Sequence, residues 1–286
     1  MTKSSAMHEM IIPQEARLDG QVAVLSGAGR GIGRAAALRL AQVGARTVLL
    51  ARTPSQIQEA CEALRAQGWK ADAFACDVSR WPDVHELAEK VMALVGPPHI
   101  VAANAGVIDP VGDTWTLDPE EWAQNLAVNL TGAFHLVRAF LPAMMDAGRG
   151  VFIFTSSGAA THAVGGWSAY CAAKAGLDLF AKTLAEETRR INPDLRIHLL
   201  YPGIVDTAMQ ERIRQIPSNR FPEVERFQTY KREGLLRPPE EPAALIWWLA
   251  TPFAKDYHGR VASLDDPMIR QRLALDLGLP MFKARS

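Results

Sequence analysis

Short runs of β-branched and aliphatic residues alternate along this chain with longer stretches whose apolar positions recur at helical spacing. The runs lie at residues 22–25, 47–50, 71–75, 100–103, 151–155 and 195–201, with a last one at 259–264. Helical patterns fill the intervals at 32–43, 55–67, 84–95, 119–145, 168–191 and 242–250. The runs are apolar without alternation, which predicts strands covered on both faces, as in a parallel sheet. Strand and helix taking turns predict an α/β fold: one domain with a doubly wound parallel sheet of about seven strands flanked by helices.

Punctuation supports these boundaries. Gly44 and Gly68 each close a helical pattern, and Gly148-Arg149-Gly150 closes a longer one. Asp118-Pro119-Glu120-Glu121 is a helix start: the Asp caps, the Pro takes the first turn, and the acids face the positive helix end. Residues 207–241 leave the rhythm. Four prolines follow Met209 there, with many arginines and isolated aromatics. We expect a mobile insertion with short helices that covers a site. Residues 1–17 read as a flexible extension, 18–265 as the domain, and 266–286 as a tail without assigned structure.

Composition narrows the class. Of 286 residues, 48% are hydrophobic and 22% charged, which excludes a disordered chain, a collagen-like repeat and a membrane bundle. No apolar run reaches the roughly 18 residues of a spanning helix, so no membrane is expected. The 31 basic and 31 acidic residues cancel, leaving no global field to attract nucleic acid. Cys61, Cys76 and Cys171 form neither a CxxC pair nor a zinc spacing and read as reduced thiols. The apolar clip Met10-Ile11-Ile12 is too short for a signal segment. A cytoplasmic location is expected, and no metal site: the seven histidines are scattered.

The first strand runs into Ser26-Gly27-Ala28-Gly29-Arg30-Gly31-Ile32-Gly33 and then an alanine-rich helix. A strand, a glycine turn and a helix start make an anion cradle, because glycine lets free N–H groups approach a pyrophosphate at the helix N-terminus. Ile32 stands where the general dinucleotide pattern needs its third glycine, so the spacing is G-x-x-x-G-x-G through Gly27, Gly31 and Gly33. A tight turn without a ligand is the plain alternative. About 20 residues on, an acid would hold the ribose of NAD. The second strand instead ends Ala51-Arg52, and a guanidinium there suits the 2′-phosphate of NADP. Arg30 is a second candidate clamp, and Asp77-Val78 would bound the adenine. NADP(H) is therefore favoured, with NAD(H) as the other possibility.

Tyr170 and Lys174 are four apart on one face of a predicted helix. An ammonium near a phenol favours the phenolate and brings its pKa down from about 10 toward working pH. Such a phenol can pass a proton to or from a carbonyl oxygen. Ser157, thirteen residues earlier, is placed to hold the same oxygen, with Ser156 as its adjacent rival; strand-end capping is the plain reading of both.

With these motifs in order, the chain resembles the short-chain dehydrogenase/reductase family. The resemblance rests on SGAGRGIG (Ser26 where Thr is usual), Asn104-Ala105-Gly106, Val128-Asn129-Leu130, Ser157 with Tyr170-x-x-x-Lys174, and Pro202-Gly203 followed by Thr207. It covers residues 18 to 265 and implies a Rossmann-like oxidoreductase acting on an alcohol or ketone. It implies Tyr170 as general acid/base, Lys174 on the nicotinamide ribose, Ser157 on the substrate oxygen, and Asn129 holding a water that links Lys174 to solvent. By its own residues, Asn129 also fits a polar side chain satisfied within a helix. Asn104, Ala105 and Gly106 would line the cofactor, and Pro202, Gly203, Val205 and Thr207 would close over it. The resemblance also implies a homodimer or homotetramer through the helices that hold Asn129 and Tyr170. Two departures are plain: Ala103 precedes Asn104 where Asn is common, and Gly259 to Asp266 lacks the usual Asp-Gly-Gly ending.

A nucleotide-binding regulatory protein on the same fold is the alternative in another class; the intact set of four polar residues argues against it. The expected pocket lining includes Val107, Ile108, Trp115, Val164, Trp167, Ile204, Met209 and Ile213, which suits an apolar, cyclic or aromatic secondary alcohol or ketone. His162, Trp167 and Met209 are the candidate substrate contacts beside Ser157 and Tyr170. Trp247-Trp248 reads as core or subunit contact, and Cys171 as facing away from the catalytic side.

Overall fold

The computed structural model describes residues 12–280 and residue 282. Seven parallel strands form one sheet: β1 (Val22–Ser26), β2 (Arg46–Ala51), β3 (Ala71–Ala75), β4 (Ile100–Ala103), β5 (Gly150–Thr155), β6 (Leu195–Tyr201) and β7 (Val261–Ser263). Their spatial order is β3-β2-β1-β4-β5-β6-β7, so the chain reverses its direction of winding between β1 and β4. In such sheets a ligand crevice opens beyond the strand ends at that reversal.

The strands split their side chains between two cores. Ala23, Leu25, Leu49, Ile100, Ala102 and Ile153 face one side, covered by α1 (Gly31–Gln42), α2 (Pro54–Arg65) and α9 (Glu240–Ala250). Val24, Val48, Leu50, Val101, Phe152 and Phe154 face the other, covered by α3 (Trp81–Val95), α5 (Gly132–Asp146) and α6 (Ser168–Ile191). Burial on both faces is the physical reason the sequence runs are unalternating. The edge strand β3 departs from this: of its five residues only Ala71 is buried, because it has a neighbour on one side alone.

The long helical pattern begins as expected, with the Asp118 carboxylate accepting from the N–H groups of Glu120 and Glu121 at 2.7 and 3.3 Å. It then divides into α4 (Pro119–Leu126), a π-helical turn at Ala127–Thr131, and α5. The whole stretch Pro119–Asp146 is long and apolar enough by length and composition to cross a membrane, although the sequence reading found no such run. It is a core helix here, with half of its most apolar window buried.

The insertion at 207–241 contains α7 (Ala208–Arg214) and α8 (Val224–Arg232), and forms with Trp167 and Tyr170 a third apolar cluster above the sheet ends. Both termini carry more structure than the sequence suggested. Residues 1–11 of the expected extension lie outside those described, but Ala16 and Leu18 are fully buried and the Trp247 indole donates to the Ala16 carbonyl at 2.7 Å. The tail forms α10 (Pro267–Leu277), capped by Asp266 and closed by Gly278. The helix docks on α9 through Trp248, whose indole donates to Asp276 at 2.8 Å. Trp247 and Trp248 are thus core residues.

Candidate active site

The glycine loop folds as it does because side chains are missing from it. A Cβ on Gly33 would fall 2.3 Å from the Gly27 carbonyl oxygen and 2.7 Å from the Asn104 amide. Gly27 itself takes φ +65°, and a Cβ there would meet Ala105 Cα at 2.9 Å. Ser26 locks this loop to the end of β4, its hydroxyl accepting from the N–H groups of Asn104 and Ala105 at 3.0 and 3.1 Å. Ile32, the residue in the third-glycine position, is half-buried at the start of α1. Asn104 completes the junction by accepting from Thr155 at 3.1 Å.

Two arginines stand beside this cradle. Arg30 and Arg52 are exposed, and their guanidinium groups form no hydrogen bond or ion pair among the described residues. Gly29 is buried against Gln56 at the start of α2; a Cβ on it would lie 3.0 Å from that residue's Cβ. Just past β3, Asp77 accepts from the backbone and hydroxyl of Ser79 at 3.0 and 2.7 Å, and the Val78 carbonyl pairs with His135. These residues fit a phosphorylated dinucleotide: a side-chain-free loop opening a helix, flanked by unengaged positive charge.

Across the strand reversal the groups are buried. Tyr170 and Lys174 lie one turn apart on α6, 8% and 4% exposed. The Lys174 ammonium donates to the Thr155 carbonyl at 2.8 Å and sits 5.7 Å from the Tyr170 ring centroid. Sequence reasoning expected the ammonium to lower the phenol. Burial wins instead: it pushes Tyr170 up to about 12, against a hydrogen bond from Ser157 that acts downward. Burial likewise lowers Lys174 to about 8, opposed by the carboxylate of Asp178.

The two serines divide. Ser157 reaches the Tyr170 phenol and caps a short 3-10 turn by accepting from Ala159 N–H at 3.2 Å. Its rival Ser156 is buried and donates to Asp178 on α6. Asn129 sits in the π turn, a helix irregularity often found at functional sites. Its amide donates to the Val107 carbonyl and to the Asn125 side chain, both at 2.8 Å, and its oxygen accepts from Val107 N–H at 3.1 Å. Gly106 is the open point above this group: a Cβ there would lie 2.9 Å from the Asn129 oxygen and 3.9 Å from both Lys174 Nζ and the Met209 methyl.

Sequence reasoning missed Asn125 and Asp178. Asn125, fully buried, donates to the carbonyls of Val107, Ile108 and Asp109 and so fixes the segment that follows β4. Each lies four residues from a candidate, Asn125 from Asn129 and Asp178 from Lys174, a spacing that was there to be read.

The covering segment reaches the site from above. Val205 bridges Arg237, and Thr207 caps α7 and packs its methyl near Gly31, 3.2 Å from where a Cβ would stand. Gly203, at φ +72°, follows Pro202 and lies against the buried Arg237 side chain. Trp167 is buried edge-on to Tyr170 at 5.7 Å and stacked on Phe221 at 5.3 Å. His162 is exposed and pairs with Thr161 at 2.9 Å, its ring beside Gly158. Trp115, expected in the lining, is 84% exposed, because it sits on a 3-10 turn with no buried residue. Cys171 is half-buried, its thiol 3.9 Å from the His162 carbonyl.

Comparison with known proteins agrees with this fold. The profile of the short chain dehydrogenase family matches residues 21–217. The chain is 33% identical over 193 residues to 2,3-dihydro-2,3-dihydroxybenzoate dehydrogenase of Bacillus subtilis (strain 168), covering 68% of this chain and 73% of that one. It is 30% identical over 233 residues to cyclohexanol dehydrogenase of Acinetobacter sp. (strain SE19), covering 82% and 88%. Among solved structures, a metagenomic short-chain oxidoreductase in complex with NADP superposes with a TM-score of 0.70 at 32% identity, covering 86% of this chain and 96% of that one.

Proposed function

The chain belongs to the short-chain dehydrogenase/reductase family and is a nicotinamide-dependent oxidoreductase of CH–OH and keto groups, and from that premise we propose that it reduces an apolar, cyclic ketone with NADPH. The observation that carries this reading is the clustering of Tyr170 with Ser157 and Lys174, and of Lys174 with Asn129 under Gly106, next to a glycine cradle whose two guanidiniums are unengaged among the described residues.

Bound NADPH would supply the hydride, held by the glycine loop with Arg30 and Arg52 on its 2′-phosphate. The protein's own residues handle the proton. A phenol held at about 12 is protonated at neutral pH and ready to give its proton to a carbonyl oxygen. Ser157 orients that oxygen, and the Lys174 ammonium, still charged below about 8, stabilises the phenolate left on Tyr170. Asn129 would keep Lys174 connected to solvent by holding a water. Met209 and Val164, partly buried against the apolar cluster that holds Tyr170 and Trp167, supply apolar surface beside the phenol, which favours a ring-bearing substrate.

We place residues 18–265 in one catalytic domain, with 207–241 over the substrate, in a cytoplasmic homodimer or homotetramer. Phe134 on α5 and Leu179 on α6 are 47% and 68% exposed and suit such an interface. The test is to follow NADPH and NADH consumption against a panel of cyclic and linear ketones. Faster turnover of cyclic ketones with NADPH supports the reading. Preference for NADH overturns the cofactor choice, and linear substrates turning over best overturns the substrate class.

A further inference from the structure

Behind the catalytic pair lies a third buried ionisable residue on the same face of α6. Asp178 follows Lys174 by four residues and is 5% exposed. Its two oxygens take different partners: Oδ1 accepts from the Ser156 hydroxyl and Oδ2 from the Tyr201 hydroxyl, the latter at 2.6 Å. Resting on the reading above, we propose that Asp178 is a positioning residue for the reaction, holding the Lys174 ammonium charged and tying the exits of β5 and β6 to the face of α6 that carries Tyr170 and Lys174.

The placement of its partners is the first argument. Ser156 immediately precedes Ser157, so fixing Ser156 inward turns the next side chain toward the phenol, since successive residues of an extended chain point to opposite sides. Tyr201 immediately precedes Pro202, where the covering segment begins. One carboxylate thereby sets the relative position of the three pieces that build the site.

Charge is the second argument. A buried carboxylate is costly without a countercharge. Ser156 and Tyr201 are neutral donors, and no arginine or lysine contacts Asp178 among the described residues. Lys174, one turn back, is the cation available to balance it. The titratable groups around that ammonium are Tyr170 and Asp178 from its own helix, with Tyr201 from β6 reached through Asp178. The other elements offer uncharged groups: β5 the Thr155 carbonyl, the π turn the Asn129 amide, and α7 the Met209 thioether. Asp178 is thus the one negative charge that opposes the effect of burial on Lys174.

The test is Asp178→Asn, which keeps shape and can still pair with both hydroxyls, beside Tyr201→Phe, which removes a hydrogen bond and keeps the charge. The first readout is the NMR titration of the Lys174 side chain in the cofactor-free protein, assigned with Lys174→Arg. The second is the pH profile of kcat/KM. Burial brings Lys174 down to about 8, so the native ammonium is expected to lose its charge as pH rises through that value. In Asp178→Asn the midpoint falls by about one unit, and the alkaline limb of the activity profile moves down with it. In Tyr201→Phe both stay in place. An unmoved midpoint in Asp178→Asn, or an equal shift in Tyr201→Phe, overturns the proposal. If the midpoint moves while the activity limb does not, the control of activity through Lys174 is overturned. Full turnover in Tyr170→Phe would instead overturn the reading it rests on.

Discussion

The two sides of the strand reversal are built by opposite means. On the β1–β2 side the structure withholds side chains: the loop closes because glycines leave room, and Arg30 and Arg52 keep their charges free of partners among the described residues. On the β4–β6 side it spends side chains on each other. Asn129 holds Asn125, Asn125 holds three carbonyls, Asp178 holds two hydroxyls and Lys174 holds Thr155. The contrast suits the role proposed for each side. A polyanion is bound by donors and charges left available to it. A proton is handled by groups whose positions and ionisation are fixed in a buried place, and buried polar groups survive only when satisfied. Damage to the first side should therefore weaken binding, and damage to the second should stop chemistry.

The sharpest contrast comes from Lys174→Met. It removes the charge proposed to stabilise the phenolate, and turnover should fall about 10³-fold in steady-state assays, far more than cofactor affinity changes. Next is Gly33→Ala, which drives a methyl against the Gly27 carbonyl and the Asn104 amide. A loss of about 1–3 kcal/mol of stability should appear in thermal unfolding, together with weaker NADPH binding. The mildest is Arg52→Ala. Loss of one charge-assisted contact should weaken NADPH binding about tenfold, worth roughly 1.5 kcal/mol, and leave NADH affinity and Tm unchanged. An Arg52→Ala protein that discriminates as well as the native one would break the comparison on its binding side.

The fold was legible because the two faces of the sheet impose continuous apolar runs on the central strands. β3 was the weakest case, since an edge strand needs less burial. Gly27, Gly31 and Gly33 were legible because a turn that excludes Cβ atoms admits few other residues. Tyr170 and Lys174 were legible by their spacing. Their ionisation was not, because burial is a property of the folded surroundings and reversed the direction expected for the phenol. Asn125 and Asp178 escaped notice because their partners, the carbonyls after β4 and the exits of β5 and β6, are distant in the chain. Trp115 misled because an apolar residue in a loop near a site need not face it.

The most direct test pairs two readings on one variant, Tyr170→Phe. The missing hydroxyl leaves the glycine loop and both arginines untouched. The account predicts NADPH affinity within about twofold of native, by fluorescence titration, and ketone reduction lowered by about 10²–10⁴-fold. Native turnover in that variant would contradict the assignment of Tyr170 as the proton donor.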